Sequence, residues 1–299
     1  MKNIFKFLSL FLIVGIAVSC DSTTGDDMGY DAQTERGWVQ FMDGSPAVIT
    51  AFQGAEGKIE LDVNLQVPNT SSDLTINYDL VSVSGGDPNA VFSNTGSVVA
   101  PAGQTSFMGP ANITGKEYTF LSLIELDLAD LAGATINEPM VFDVVLTGTS
   151  SSQITAGLAG ETFKVAQRIV INPSLSNLNG VYSVDENFTD GVNAPFGLGD
   201  FFGESYQVEL MVVEGDASAS TMTATNSAGF NTYFIPGVVI DFSASPLSFD
   251  DGYTPALPVV ALFVEMSVAT STVDFGNGVI RCDGEAGPYG PYQFTLTKQ

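Results

Sequence analysis

Lys58-Ile-Glu-Leu-Asp-Val-Asn-Leu-Gln-Val67 alternates without a break. Ile59, Leu61, Val63, Leu65 and Val67 share one face, and Lys58, Glu60, Asp62, Asn64 and Gln66 share the other. A period of two over ten residues is the pattern of a β-strand with one buried and one solvated face, the arrangement typical of antiparallel sheets.

The same signature recurs on both sides of this strand. Runs rich in β-branched and aromatic residues are separated by clusters of Gly, Pro, Asn, Asp and Ser. They lie at 73–83, 141–147, 163–171, 206–213, 221–225, 237–242, 259–268 and 292–297. Only Leu121–Leu131 has helix-like spacing, and its Leu and Ile positions also fit a strand leading into a loop that holds Asp127 and Asp130. The expected fold class is therefore all-β.

Two modules are predicted. Ile169-Val170-Ile171 closes a strand, Asn172-Pro173-Ser174 opens a polar connection, and Leu178-Asn179-Gly180-Val181-Tyr182 starts again. Pro173 cannot donate to a sheet ladder, which suits a strand end. The expected units are 37–172, a sandwich of antiparallel sheets, and 177–299, a small barrel or a second sandwich.

The N-terminus is of another kind. Lys2 and Lys6 precede an apolar run from Phe7 to Val18, broken only by Ser9, and small residues lead to Cys20. The run is too short to span a bilayer, which takes about 20 apolar residues. A basic start, a short apolar core and small closing residues form an export signal over 1–19. The Ala17-Val18-Ser19-Cys20 boundary resembles the lipobox of bacterial lipoproteins. That resemblance implies cleavage before Cys20, lipidation of its thiol and acylation of its amine. Attachment to a bacterial membrane follows, most simply the outer membrane, with surface exposure as an option. More than one acyl chain makes such attachment stable. Residues 20–36 are polar, small and acidic, a flexible tether that lacks the apolar area to fold.

Composition excludes several functions. The first nineteen residues hold two of the nine bases and none of the 34 acids, which leaves 280 residues with a net charge of −27. Phosphate contacts need Lys and Arg, so nucleic acid is not an expected partner. The chain has no histidine, which removes imidazole catalysis and histidine-ligated zinc. No nucleotide-binding glycine loop is present. With Cys20 committed to lipid, Cys282 has no partner for a disulfide and reads as a small, partly buried hydrophobe.

Within 38–171 three stretches carry a further resemblance. They are Leu74-Thr-Ile-Asn-Tyr78, the loop and turn from Asp87 to Thr105, and Glu138-Pro-Met-Val-Phe-Asp-Val-Val-Leu146. Together they resemble the Calx-β-like, immunoglobulin-type sandwiches of extracellular proteins. Members of that family bind calcium through converging carboxylates, which implies Asp127, Asp130 and Glu138 as candidate ligands. Calcium needs six to eight oxygens. Gln53 stands where an early Glu is usual, and Phe92 where an Asp-Tyr pair is usual. Trp38, the only tryptophan, reads as a core residue.

The second module offers Pro195-Phe-Gly-Leu-Gly-Asp-Phe-Phe-Gly-Glu-Ser-Tyr206. Exposed rings at Phe196, Phe201, Phe202 and Tyr206 would make a stacking face for a sugar or a contact patch for a protein. The other outcome is that the rings fold inward and cap the barrel mouth. The opening Leu178–Tyr182 stretch also slightly resembles the first strand of lipocalin-like barrels.

The sequence thus points to a non-catalytic envelope lipoprotein that binds a glycan or a surface protein. A calcium-stiffened structural or adhesive module is the alternative. A glycoside hydrolase would need two acids flanking a cleft, and no motif marks such a pair.

Overall fold

A computed structural model describes residues 36–299, except 43–44, 68–69, 105–121, 159–163, 193, 198–199, 201–205, 229–237, 250–255, 258–261 and 264–265. The chain is all-β.

Among the described residues the first half contains nine strands. They are β1 (Gly37–Phe41), β2 (Val48–Phe52), β3 (Lys58–Gln66), β4 (Leu74–Ser84), β5 (Ser97–Ala100), β6 (Ser122–Asp127), β7 (Met140–Thr149), β8 (Ile154–Ala156) and β9 (Ala166–Asn172). Sheet order is β6-β3-β1-β8 in one layer and β2-β9-β7-β4-β5 in the other. All five apolar residues of the Lys58–Val67 repeat are buried. They meet Ile76, Tyr78, Phe142, Val144 and Ile169 of the opposite sheet in one core. Full burial of each such side chain contributes roughly 1.5–3 kcal/mol, so alternation on both layers closes the sandwich.

Leu121–Leu131 resolves as the strand alternative. β6 pairs antiparallel with β3, Lys58 opposite Asp127, and then turns into a 3-10 segment, Leu128–Gly133. Trp38 is buried, and its indole Nε1–H donates to Gln40 Oε1 at 2.8 Å. Two pairings are parallel, β1 with β8 and β2 with β9.

The second half adds β10 (Gly180–Phe188), β11 (Tyr206–Val212), β12 (Thr221–Ala228), β13 (Val239–Asp241), β14 (Ser248–Phe249), β15 (Ala256–Leu257), β16 (Leu262–Phe263), β17 (Met266–Asp274), β18 (Val279–Ala286) and β19 (Pro291–Lys298). Eight of these form one antiparallel sheet, ordered β14-β13-β12-β11-β10-β19-β18-β17. Its two edges approach one another where Leu247 N–H donates to Ser271 Oγ at 2.9 Å. The sheet is therefore a nearly closed barrel, which decides between the two architectures expected for this half. Tyr182, Val208, Leu210, Phe294 and Leu296 fill it, together with Phe52 from β2. One side chain of the sandwich is thus part of the barrel's core.

Candidate functional site

Cys20, residues 21–35, Phe201 and Phe202 lie outside the described residues. The remaining candidates are placed as follows.

The chain leaves β10 at Phe188 and comes back over the barrel end at Phe196, whose carbonyl accepts from Phe188 N–H at 3.0 Å. The next residue, Gly197, sits against β10 so closely that a Cβ there would lie 2.1 Å from Glu186 O. Only glycine permits that approach. Gly197 N–H in turn donates to Asp200 Oδ2 at 3.1 Å. Beneath this loop is a polar pair inside the barrel. Glu186 is buried, and its carboxylate accepts a hydrogen bond from Tyr292 O–H. Tyr292 also packs edge-on against Phe188, with ring centroids 5.0 Å apart. The loop is thus tied to β10 by its backbone, while Phe196 stays 51% exposed.

Tyr206 does not belong to this surface. It is 4% exposed, and with Val208 and Leu210 it forms the inward row of β11. Its place in a strand of period two overrides its proximity in sequence to the aromatic loop.

The three acids proposed for calcium do not converge. Asp127 Oδ1 accepts from Ala129 N–H at 2.9 Å and caps the 3-10 turn. Asp130 Oδ2 accepts from Ser93 N–H at 2.7 Å. Glu138 stands exposed before β7. Among the described residues no group of three His, Cys, Asp or Glu is arranged to hold a metal ion. Gln53 explains the arrangement. Its Nε2 donates to Leu131 O at 2.9 Å and to Ala134 O at 2.7 Å. An uncharged amide therefore joins the turn to the end of β2. Phe92, the second departure from the family pattern, is buried against Phe142 at 5.6 Å between ring centroids. Changing Gln53 to Glu would set a carboxylate against two carbonyl oxygens. A loss of about 1–3 kcal/mol is expected, since two donors are removed and like dipoles oppose. Urea unfolding of the variant checks this, and an unchanged midpoint would contradict the role given to Gln53.

Cys282 is fully buried in the barrel core. Burial, and to a lesser degree the neighbouring Asp283 carboxylate, pushes its thiol up to about 12. A thiol held in that state is not a nucleophile at neutral pH.

Sequence reasoning missed Asp216, in the turn between β11 and β12. Burial acts to raise its pKa. Donors from Ser218 Oγ and Thr221 Oγ1 and from the backbone of Ser218 and Ser220 outweigh that and hold it down at about 2. The backbone of the same turn meets the sandwich, where Glu56 N–H donates to Ala217 O at 2.8 Å. The signal was the Asp-x-Ser-x-Ser-Thr spacing, in which short polar side chains offer local donors. Comparison with protein-family models and with curated proteins gave no match to this chain.

Proposed function

We propose that this chain is a non-catalytic envelope lipoprotein that holds a glycan or another envelope protein. The lipobox-like boundary at Cys20 and the acidic segment behind it support an anchored, tethered protein. The observation that carries the binding reading is Phe196, a half-exposed residue on a loop whose backbone is tied to β10 through Phe188 and the close approach of Gly197. A loop held in advance loses little freedom on contact, and an apolar face with a rigid backbone suits stacking on a sugar or packing on a protein. Val192, 97% exposed, extends the apolar surface of the same loop region. The absence of histidine supports holding rather than converting a ligand.

The test is retention of the full-length chain, carried in detergent, on immobilised envelope polysaccharides and on an envelope-protein extract. Phe196→Ala is expected to weaken retention by about tenfold, the effect of removing one central aromatic contact. Wild type and variant behaving alike on both matrices would end this reading.

A further inference from the structure

β2 is an edge strand of its sheet. It pairs with β9 on one side only, and among the described residues no strand pairs with its other side. Gln53 N–H donates to Asn172 O. By the alternation of a parallel ladder, the N–H and C=O groups of Val48 and Thr50 therefore point away from β9. Natural edge strands are usually blunted by Lys, Pro or a bulge. Val48-Ile-Thr-Ala-Phe52 has none of these, and Val48 is 45% exposed.

A groove of about 580 Å³ runs along this edge. Ile49, Thr50, Ala51 and Phe52 all line it. Side chains of successive residues point to opposite faces of a sheet, so a space touched by all four lies beside the strand, not over one face. Across the groove stand the first residues of β3 and the Ser218–Thr221 turn of the barrel. Among the described residues, β1 pairs with Val63 to Gln66 of β3 and Met42 N–H extends the contact to Asp62 O, short of Lys58–Glu60. A second groove of about 330 Å³ continues past β1 and shares Ile49 and Glu60 with the first.

The combined trench is rich in acceptors. Glu56, Glu60 and Asp241 line the larger part, and Glu60 and Asp62 the smaller. Gln167 lines the smaller part, is 1% exposed, and keeps a buried Oε1 with no hydrogen-bond partner. The cations nearby are committed. Lys58 Nζ lies 2.6 Å from Glu125 Oε2, and Lys164 Nζ donates to Ser45 O at 3.3 Å.

We propose that the β2 edge takes up an extended, lysine- or arginine-bearing segment of a partner protein as an additional strand. Main-chain hydrogen bonds to Val48 and Thr50 supply the pairing, and the trench carboxylates select basic side chains. Strand addition to an open edge is a known mode of peptide recognition, with affinity from the backbone and specificity from side-chain pockets. A net charge of −25 steers basic partners toward the surface and keeps acidic ones away. This inference rests on the chain being a binding module but uses a different surface from Phe196.

The experiment titrates the full-length chain in detergent with three short labelled peptides. One alternates Lys and Thr, one alternates Glu and Thr, and the third is the Lys-Thr peptide with alternate backbone amides N-methylated. The Lys-Thr peptide is expected to bind, to slow hydrogen exchange at the Thr50 amide, and to weaken by roughly tenfold on N-methylation through loss of ladder donors. Glu60→Gln with Asp241→Asn, in which Asn keeps the Oδ1 that accepts from Ser243, is expected to weaken it as well, and the Glu-Thr peptide is expected not to bind. Equal binding of the N-methylated or the acidic peptide overturns the proposal, as does indifference to the carboxylate changes. The titration does not use the Phe196 loop, so glycan retention and peptide capture can fail separately.

Discussion

Replacing Phe294 with alanine is expected to cost about 3–5 kcal/mol, the usual range for emptying a phenylalanine site in a core. Phe294 has no exposed surface. It lies on β19, opposite Glu186 of β10 and Cys282 of β18, and its ring meets Phe249 edge-on at 6.2 Å. Glu186 and Cys282 sit on strands held by long ladders to β19, so they cannot collapse into the space that is left. Urea unfolding measures the loss. Cys282 gives a local readout, because its thiol is unreactive while buried and lies directly across from the new cavity. Its reaction with a thiol reagent is expected to be undetectable in the wild type and to become measurable in the variant under native conditions. A cost below about 1 kcal/mol would mean that the barrel core is not packed as described.

The second large effect is expected at Asp216. Its carboxylate accepts from the backbone N–H groups of Ser218, Ser220 and Thr221 and from the hydroxyls of Ser218 and Thr221. These donors hold a turn in which Ala219 adopts φ 50°, a left-handed conformation that alanine disfavours. Asp216→Ala leaves the donors to water and releases the turn, for an expected loss of about 2–3 kcal/mol at pH 7. The loss depends on pH in a definite direction. The folded pKa, about 2, lies below the ordinary value of 3.8, so the charged carboxylate stabilises the fold above pH 4. That contribution disappears as pH falls from 4 to 2. Discounted for partial exposure, the pH-dependent part is about 1–2 kcal/mol. The stability gap between wild type and variant is therefore expected to narrow across this window. A gap that stays constant down to pH 2 would remove the charge from the explanation.

The legible parts of the fold were those whose pattern repeats. Lys58–Val67 reads as a half-buried strand because five alternate apolar residues allow no other placement, and all five are buried. The break at Asn172–Ser174 was legible because proline and polar residues interrupt two strands. Leu121–Leu131 was ambiguous, since leucines at those spacings satisfy both periods. Pairing with β3, a tertiary fact, decides it. β2 escaped notice because five uncharged residues without alternation carry no periodic signal. The candidate site was less accessible. Tyr206 was grouped with the aromatic loop by proximity, although Tyr-x-Val-x-Leu already placed it on the inward row of a strand. The trench could not be read at all, because residues 48–62 meet residues 218–243 only after both halves have folded.

β19 is the last strand in the chain and yet lies in the middle of the eight-stranded sheet, between β10 and β18. Ser183 and Thr297 are bonded across 114 positions. In a chain exported N-terminus first, as the proposed signal requires, β10 emerges early and must wait for a partner that emerges last. During that interval β10 presents a bare edge, which is a template for pairing with other chains. Long-range pairing of this kind is also slow. Under the proposed export, the hazardous period for this chain is its delivery, and a factor that shields strand edges during transit is expected to raise its yield more than added stability of the finished barrel.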